Sequence, residues 1–228
     1  VLLIDSDPRN SSLAQVYEGT GFADTRDQSN PFSHGPILLG MDGLIRHATD
    51  HAVVDTAAGT QTQIEEQIIP TLAEMGRSHG IRVVEYITIS TSEFSQDNAL
   101  LAAERSISLM ETNSAYSVVF VRNHGLGRAD RFYQSWHTSI ERERLIPPVV
   151  EVALPDFGPT LSDEATALGL SLADVALGKF ERLQGRALEI AQSKFSPSVR
   201  IVLAQMLRRT CDDFQKATLL ALENYRLG

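Results

Sequence analysis

Two short segments constrain this chain most: Val1–Asp7 (VLLIDSD), followed by Pro8, and His51–Thr60 (HAVVDTAAGT). Each is a run of apolar, β-favouring residues that ends in an aspartate and opens into a loop. A run of this kind reads as a strand buried on both faces of a parallel sheet. The carboxyl ends of such strands are where α/β proteins bind their ligands. The sequence between the two segments leaves room for one crossover connection.

Three further strands are expected, so the five are Val1–Asp5, Ala52–Asp55, Arg82–Ile89, Ser117–Arg122 and Val149–Leu154. They are short and rich in valine and isoleucine, and helical patterns alternate with them. A polar loop carrying Gly19, Gly21, Asn30, Pro31, Gly35 and Pro36 leads to a helix with Ile37, Leu38, Met41, Leu44, Ile45 and Ala48 at helical spacing. Thr62–His79 is a second helix, which Pro70 should kink or divide. Ser95–Thr112 is a third, with Ser95 as N-cap, and Ala129–Glu143 a fourth. This order predicts right-handed crossovers and a doubly wound, mostly parallel sheet in an α/β domain over residues 1–155.

After Pro155 the pattern is helical only, and residues 156–228 are expected to pack on the sheet or on a partner. Asp163–Leu170 reads as a short helix or turn. Leu172, Val175, Ala176, Phe180, Leu183, Ala187 and Ile190 make one apolar stripe. Ser196-Pro197 is an N-cap and first-turn pair that opens a last helix running to about Leu227.

Composition sets bounds on function. The net charge of −9 over 228 residues argues against a nucleic-acid-binding surface spread over the whole chain. Arg208 and Arg209 could form a local patch for nonspecific DNA binding, but Asp212 and Asp213 adjoin them, as on an exposed mixed-charge face. The single cysteine excludes an internal disulfide framework and fits a reducing cytoplasm. Cys211 lies in a helical apolar pattern and is expected to be a buried structural thiol. No apolar stretch approaches the ~18 residues of a membrane span. The six histidines form no convincing metal pair: His47 and His51 straddle a helix end and a strand start.

The succession VLLIDSDPRNSSL, VVDTAAGT and VVFVRN, over roughly the first 155 residues, resembles the ParA/MinD group of P-loop ATPases with a deviant Walker A motif. The resemblance implies an ATP- and Mg²⁺-dependent homodimer that acts through a further partner protein. In that group a strand ending in D-x-D-P follows the phosphate loop and its helix, matched here by Asp5-Ser6-Asp7-Pro8. The Walker B aspartate is matched by Asp55, and an adenine-reading asparagine by Asn123. Asp55 would act on Mg²⁺ through a bound water, with Asp5 supporting the metal's waters. Asp7 would orient the attacking water. Gly59 and Thr60 would sit in the loop that senses the γ-phosphate, where Ala57-Ala58 departs from the group's usual proline. Phosphoryl transfer needs these parts: a hydrated Mg²⁺ between the β- and γ-phosphates and a water held in line. Read without the resemblance, Asp5 and Asp7 cap the turn after a strand, and Asn123 is a turn residue before His124-Gly125.

No G-x-x-x-x-G-K-[ST] loop occurs in the chain. The expectation is that this loop, its lysine and the strand before it lie upstream of Val1. That strand is central in the resembled fold, between the strands ending at Asp55 and Ile89. Two other classes remain: a non-hydrolysing adaptor of the same fold, and a cofactor-biosynthesis synthetase that would need a substrate pocket. The LENYRLG terminus lacks the basic amphipathic tail of the membrane-targeting branch. Arg122, Arg128 and Arg131 could touch phosphate or DNA, but arginines near a loop are commonly solvated. Trp136, with Phe132 and Tyr133, reads as helix packing.

Overall fold

The computed structural model describes residues 2–5, 21–22, 35–46, 51–55, 68–112, 114–124, 133–134, 136–138 and 150–223. The architecture is α/β, with parallel sheets flanked by helices and a long C-terminal helix. Six strands are described: β1 (Leu2–Asp5), β2 (Gly21–Phe22), β3 (Ala52–Asp55), β4 (Val83–Ile89), β5 (Tyr116–Asn123) and β6 (Glu151–Leu154). The seven described helices are α1 (Gly35–Ile45), α2 (Ile69–His79), α3 (Glu93–Thr112), α4 (Pro159–Ala167), α5 (Leu172–Leu177), α6 (Arg186–Lys194) and α7 (Pro197–Glu223). The strands form two three-stranded sheets, ordered β2-β1-β3 and β4-β5-β6. The chain divides into two compact units, Val1–Val83 with Ser108–Ser117, and Val84–Ile107 with Val118–Gly228.

In the first unit, β1 runs parallel to both β2 and β3. The two-residue β2 lies in what the sequence reads as polar loop, because a glycine-phenylalanine pair carries no periodicity to mark it. Helix α1 packs on β1, β3 and α2. Ile4, Met41, Ile69, Leu72 and Ala73 are buried. Pro70 lies in the first turn of α2 as described, Ile69–His79, a position that tolerates proline, and residues 62–67 of the expected helix lie outside the described residues. The helix stops at Gly80, which is left-handed (φ 69°) and returns its N–H to the Gly76 carbonyl. Ile81 N donates to the same carbonyl at 2.8 Å. On the helix, Arg77 Nη2 lies 2.6 Å from Glu74 Oε1. The hydrogen bond from Arg77 holds the Glu74 carboxyl below its ordinary range, but an exposed pair like this adds little stability.

In the second unit the central strand β5 is buried from Val118 to Val121. Side chains alternate across a strand, and here the alternation is read directly from the packing. Val119 and Val121 join Val152 in a core completed by Ala217 and Ala221 of α7. Phe120 instead meets Trp136, ring centroids 4.9 Å apart. Trp136 is fully buried, with Nε1 donating to Glu151 Oε1 at 3.1 Å and its backbone N–H to Gln96 Oε1 at 3.0 Å. Helix α3 starts two residues before the expected Ser95. Ser92 supplies the cap, its Oγ accepting from Ser95 N at 3.2 Å, while Ser95 Oγ accepts from Ser90 N at 3.0 Å.

The apolar stripe from Leu172 to Ile190 is not one helix. Ser171 and Asp174 form a reciprocal capping box at the start of α5, and Gly178 ends it in the left-handed conformation (φ 68°). Phe180, Leu183 and Ala187 therefore lie beyond a break. Val175 and Phe180 still share a core with Phe195 and Leu203. Helix α7 thus belongs to two clusters: Leu203 to this helical one, Ala217 and Ala221 to the sheet. Tyr86 of β4 also reaches α7, stacking on Phe214 and sharing a 2.5 Å hydrogen bond with Thr218. The expectation that Cys211 is buried is overturned: it is exposed, because the faces of α7 that pack are set by Leu203, Ala217 and Ala221.

Gly76 gives a direct test of the close packing after α2. A methyl group there would stand 2.7 Å from the Ile81 carbonyl oxygen. Gly76→Ala is expected to destabilise the protein by about 1–3 kcal/mol, despite alanine's better helix propensity. A urea denaturation curve reads the difference, and an equal or higher midpoint contradicts this account of the turn.

Candidate functional site

β1 and β3 are in register from end to end: Leu2 faces Ala52, Leu3 faces Val53, Ile4 faces Val54 and Asp5 faces Asp55. The pairing begins with Leu2 N donating to His51 O at 2.8 Å. Both strands are parallel, so both carboxyl ends lie at one edge of the sheet. Two aspartates thus occupy neighbouring, level backbone positions, about 4.8 Å apart across a parallel pair. Asp55 is half-buried at its strand end. Level carboxyl ends of parallel strands are where sheets of this kind bind their ligands.

Asn123 ends β5, in the second sheet and the second unit, and pairs with Leu154 of β6. Its carbonyl oxygen accepts a hydrogen bond from Tyr133 Oη at 2.8 Å, and the same hydroxyl lies 3.4 Å from the Ile89 carbonyl oxygen. Tyr133 is fully buried, and its ring lies 5.7 Å from that of His124. It therefore ties the carboxyl ends of β4 and β5 together beside Asn123. The sequence reading assigned Tyr133 to helix packing alone. A buried tyrosine whose hydroxyl needs an acceptor is the signal that points further.

Arg122 is only partly exposed and pairs with Glu151. Its Nε lies 3.2 Å from Glu151 Oε2, with both side chains about one-fifth exposed. Glu151 is thereby held between Arg122 and the Trp136 indole. Arg208, Arg209, Asp212 and Asp213 are all exposed on α7. Among the described residues, no three His, Cys, Asp or Glu side chains are grouped to hold a metal, and no helix is long and apolar enough to cross a membrane.

Of the residues singled out from sequence, Asp5 and Asp55 are brought together, and Asn123 stands at the end of a strand of the other sheet. Asp7, Gly59 and Thr60 lie outside the described residues, as do His47, Arg128, Arg131 and Phe132. Compared with protein-family models, curated proteins and solved structures, the chain matches none.

Tyr133→Phe removes only the hydroxyl that holds the Asn123 carbonyl. The variant is expected to lose about 1–2 kcal/mol of stability, the cost of an unmade buried hydrogen bond. Chemical denaturation measures it, and an unchanged midpoint would show that the contact contributes nothing.

Proposed function

We propose that this chain is part of an ATP-binding and ATP-hydrolysing dimerisation switch of the ParA/MinD-like class, acting in plasmid or chromosome partition or in conjugal transfer. The observation that carries the reading is the level placement of Asp5 and Asp55 at the carboxyl edge of two parallel strands. The motif order adds support, with Asp7 after the first strand, Gly59 and Thr60 after the second, and Asn123 closing a later one. On this reading the phosphate loop and its lysine come from sequence outside these 228 residues.

Two neighbouring aspartates fit a Mg²⁺ that keeps most of its waters, because they can accept hydrogen bonds from those waters without displacing them. Asp55 would hold the hydrated ion and Asp5 would support it. Bound Mg²⁺ would neutralise charge on the β- and γ-phosphates of the substrate. Asp7 would fix the attacking water in line and accept a hydrogen bond from it. Asn123 carries an amide with both a donor and an acceptor, which matches the edge of adenine. Gly59 would give the loop after β3 the freedom to change φ as the γ-phosphate is bound or lost.

Each residue then fails differently. In the full-length protein, Asp7→Ala is expected to keep ATP binding and to lower turnover by at least about tenfold, since water orientation counts mainly in the transition state. Asp55→Ala is expected to weaken the Mg²⁺-dependent part of binding. Unchanged turnover in Asp7→Ala removes that residue from the chemistry.

The switch itself is read by mass. With hydrolysis blocked by Asp7→Ala, light scattering is expected to give a dimer with ATP and a monomer with ADP, because only a loop ordered by γ-phosphate has a differential affinity for its partner copy. Equal masses in the two nucleotide states would overturn the switch and leave a constitutive enzyme or adaptor.

A further inference from the structure

Helix α7 buries Leu203, Ala217 and Ala221, which lie within about 40° of one another around the helix axis. Its opposite face carries four apolar side chains in solvent: Ile201, Val202, Leu219 and Leu220 are 61%, 56%, 50% and 52% exposed. Exposed apolar residues scattered singly need no explanation. These form two doublets, about 27 Å apart along the helix. Between the doublets stand Arg208, Arg209, Asp212 and Asp213, all exposed.

The order of these residues is symmetric about the middle of the helix. Consider a two-fold axis perpendicular to α7, level with the Thr210–Cys211 peptide bond, that lays a second copy of the helix alongside in the antiparallel sense. Ile201 then stands opposite the partner's Leu219, and Val202 opposite the partner's Leu220. Arg208 stands opposite the partner's Asp212, and Arg209 opposite the partner's Asp213. In each pair the two residues match in height to about 1.5 Å and in direction around the helix to about 40°. Gln205 meets the partner's Lys216 at the level between, and both are exposed. Because the axis repeats every pair, the face holds four apolar pairs and four pairs of opposite charge.

Other arrangements satisfy this face less well. A parallel pair sets arginine on arginine and aspartate on aspartate. Within one helix the same charges stand four residues apart with arginine first, the less favourable order. A nucleic-acid backbone would meet the aspartates together with the arginines. An unrelated protein requires no symmetry about the centre of α7, whereas a second copy meeting the same face does.

We infer that the exposed face of α7 binds the same face of a second copy of this chain, antiparallel and centred between Thr210 and Cys211. The inference stands apart from the nucleotide reading, since the face contains none of Asp5, Asp7, Asp55, Gly59, Thr60 and Asn123. One helix pair covers less area than a stable interface needs, so the expected dissociation constant is about 10–100 µM. At about 1 µM the pair is dissociated, which keeps it separate from the dimer proposed to form with ATP.

The test is sedimentation equilibrium of the full-length protein, free of nucleotide and in EDTA, from about 1 to 500 µM. A reversible monomer–dimer equilibrium is expected. Arg208→Glu together with Arg209→Glu should weaken it at least about tenfold, by setting glutamate against aspartate. Exchanging all four signs, with Arg208→Asp, Arg209→Asp, Asp212→Arg and Asp213→Arg, should restore self-association to within about threefold of the parent. The exchanged protein should not pair with the parent, since that mixture sets like charges opposite each other. All four positions are exposed, and circular dichroism verifies that each variant keeps its helix. A monomer at every concentration overturns the proposal and leaves the face to a different protein. Undiminished association of the doubly substituted variant overturns it, and so does free mixing of the exchanged protein with the parent.

Discussion

The second unit is built around the two faces of β5. A strand that is hydrogen-bonded on both edges and packed on both faces leaves its neighbours little freedom of register. On one face, Val119 and Val121 meet alanines of α7, and the small side chains let the helix approach closely. On the other, Phe120 meets Trp136, whose indole and backbone N–H groups both find side-chain acceptors. The polar contacts matter because an indole N–H buried without an acceptor would offset much of what burial of the ring contributes. Glu151 answers it from the neighbouring strand and is itself answered by Arg122. The packing of the β4-β5-β6 sheet and the placing of Asn123 at its carboxyl edge follow from this one strand.

Helix α7 extends that order into the C-terminal part. Its 27 residues span about 40 Å at helical rise. One end closes a small core with Val175, Phe180 and Phe195, and the other covers the sheet. The capping box at Ser171 sets where α5 starts, and the left-handed Gly178 where it stops. The same glycine leaves room for the Arg200 guanidinium, which a Cβ there would displace.

The strands were legible because buried parallel strands announce themselves as valine- and isoleucine-rich runs. All five expected strands are present, with ends shifted by no more than two residues. The helices were less legible at their ends, and for local reasons. A serine cluster at Ser90, Ser92 and Ser95 offers several competing caps, and hydrogen-bond geometry rather than residue type chooses Ser92. Pro70 fits either a kink or a first turn, and residue type alone does not choose between them. Periodicity carried the Leu172–Ile190 stripe across Gly178, since side chains beyond the break return to the same core. At the candidate site, the level pairing of Asp5 with Asp55 could be anticipated from two strands that each end in aspartate. The tie from Tyr133 to Asn123 could not, because the acceptor is a backbone carbonyl and leaves no mark on residue type.

Cys211 has a practical consequence of its own. It is the chain's single thiol, and it sits exposed on a long, regular helix rather than in a core. One maleimide-linked fluorophore or nitroxide can therefore be attached at a defined point without removing other cysteines. Two copies labelled there would report their separation directly by energy transfer or dipolar spectroscopy, so the native chain already carries its own ruler for self-association.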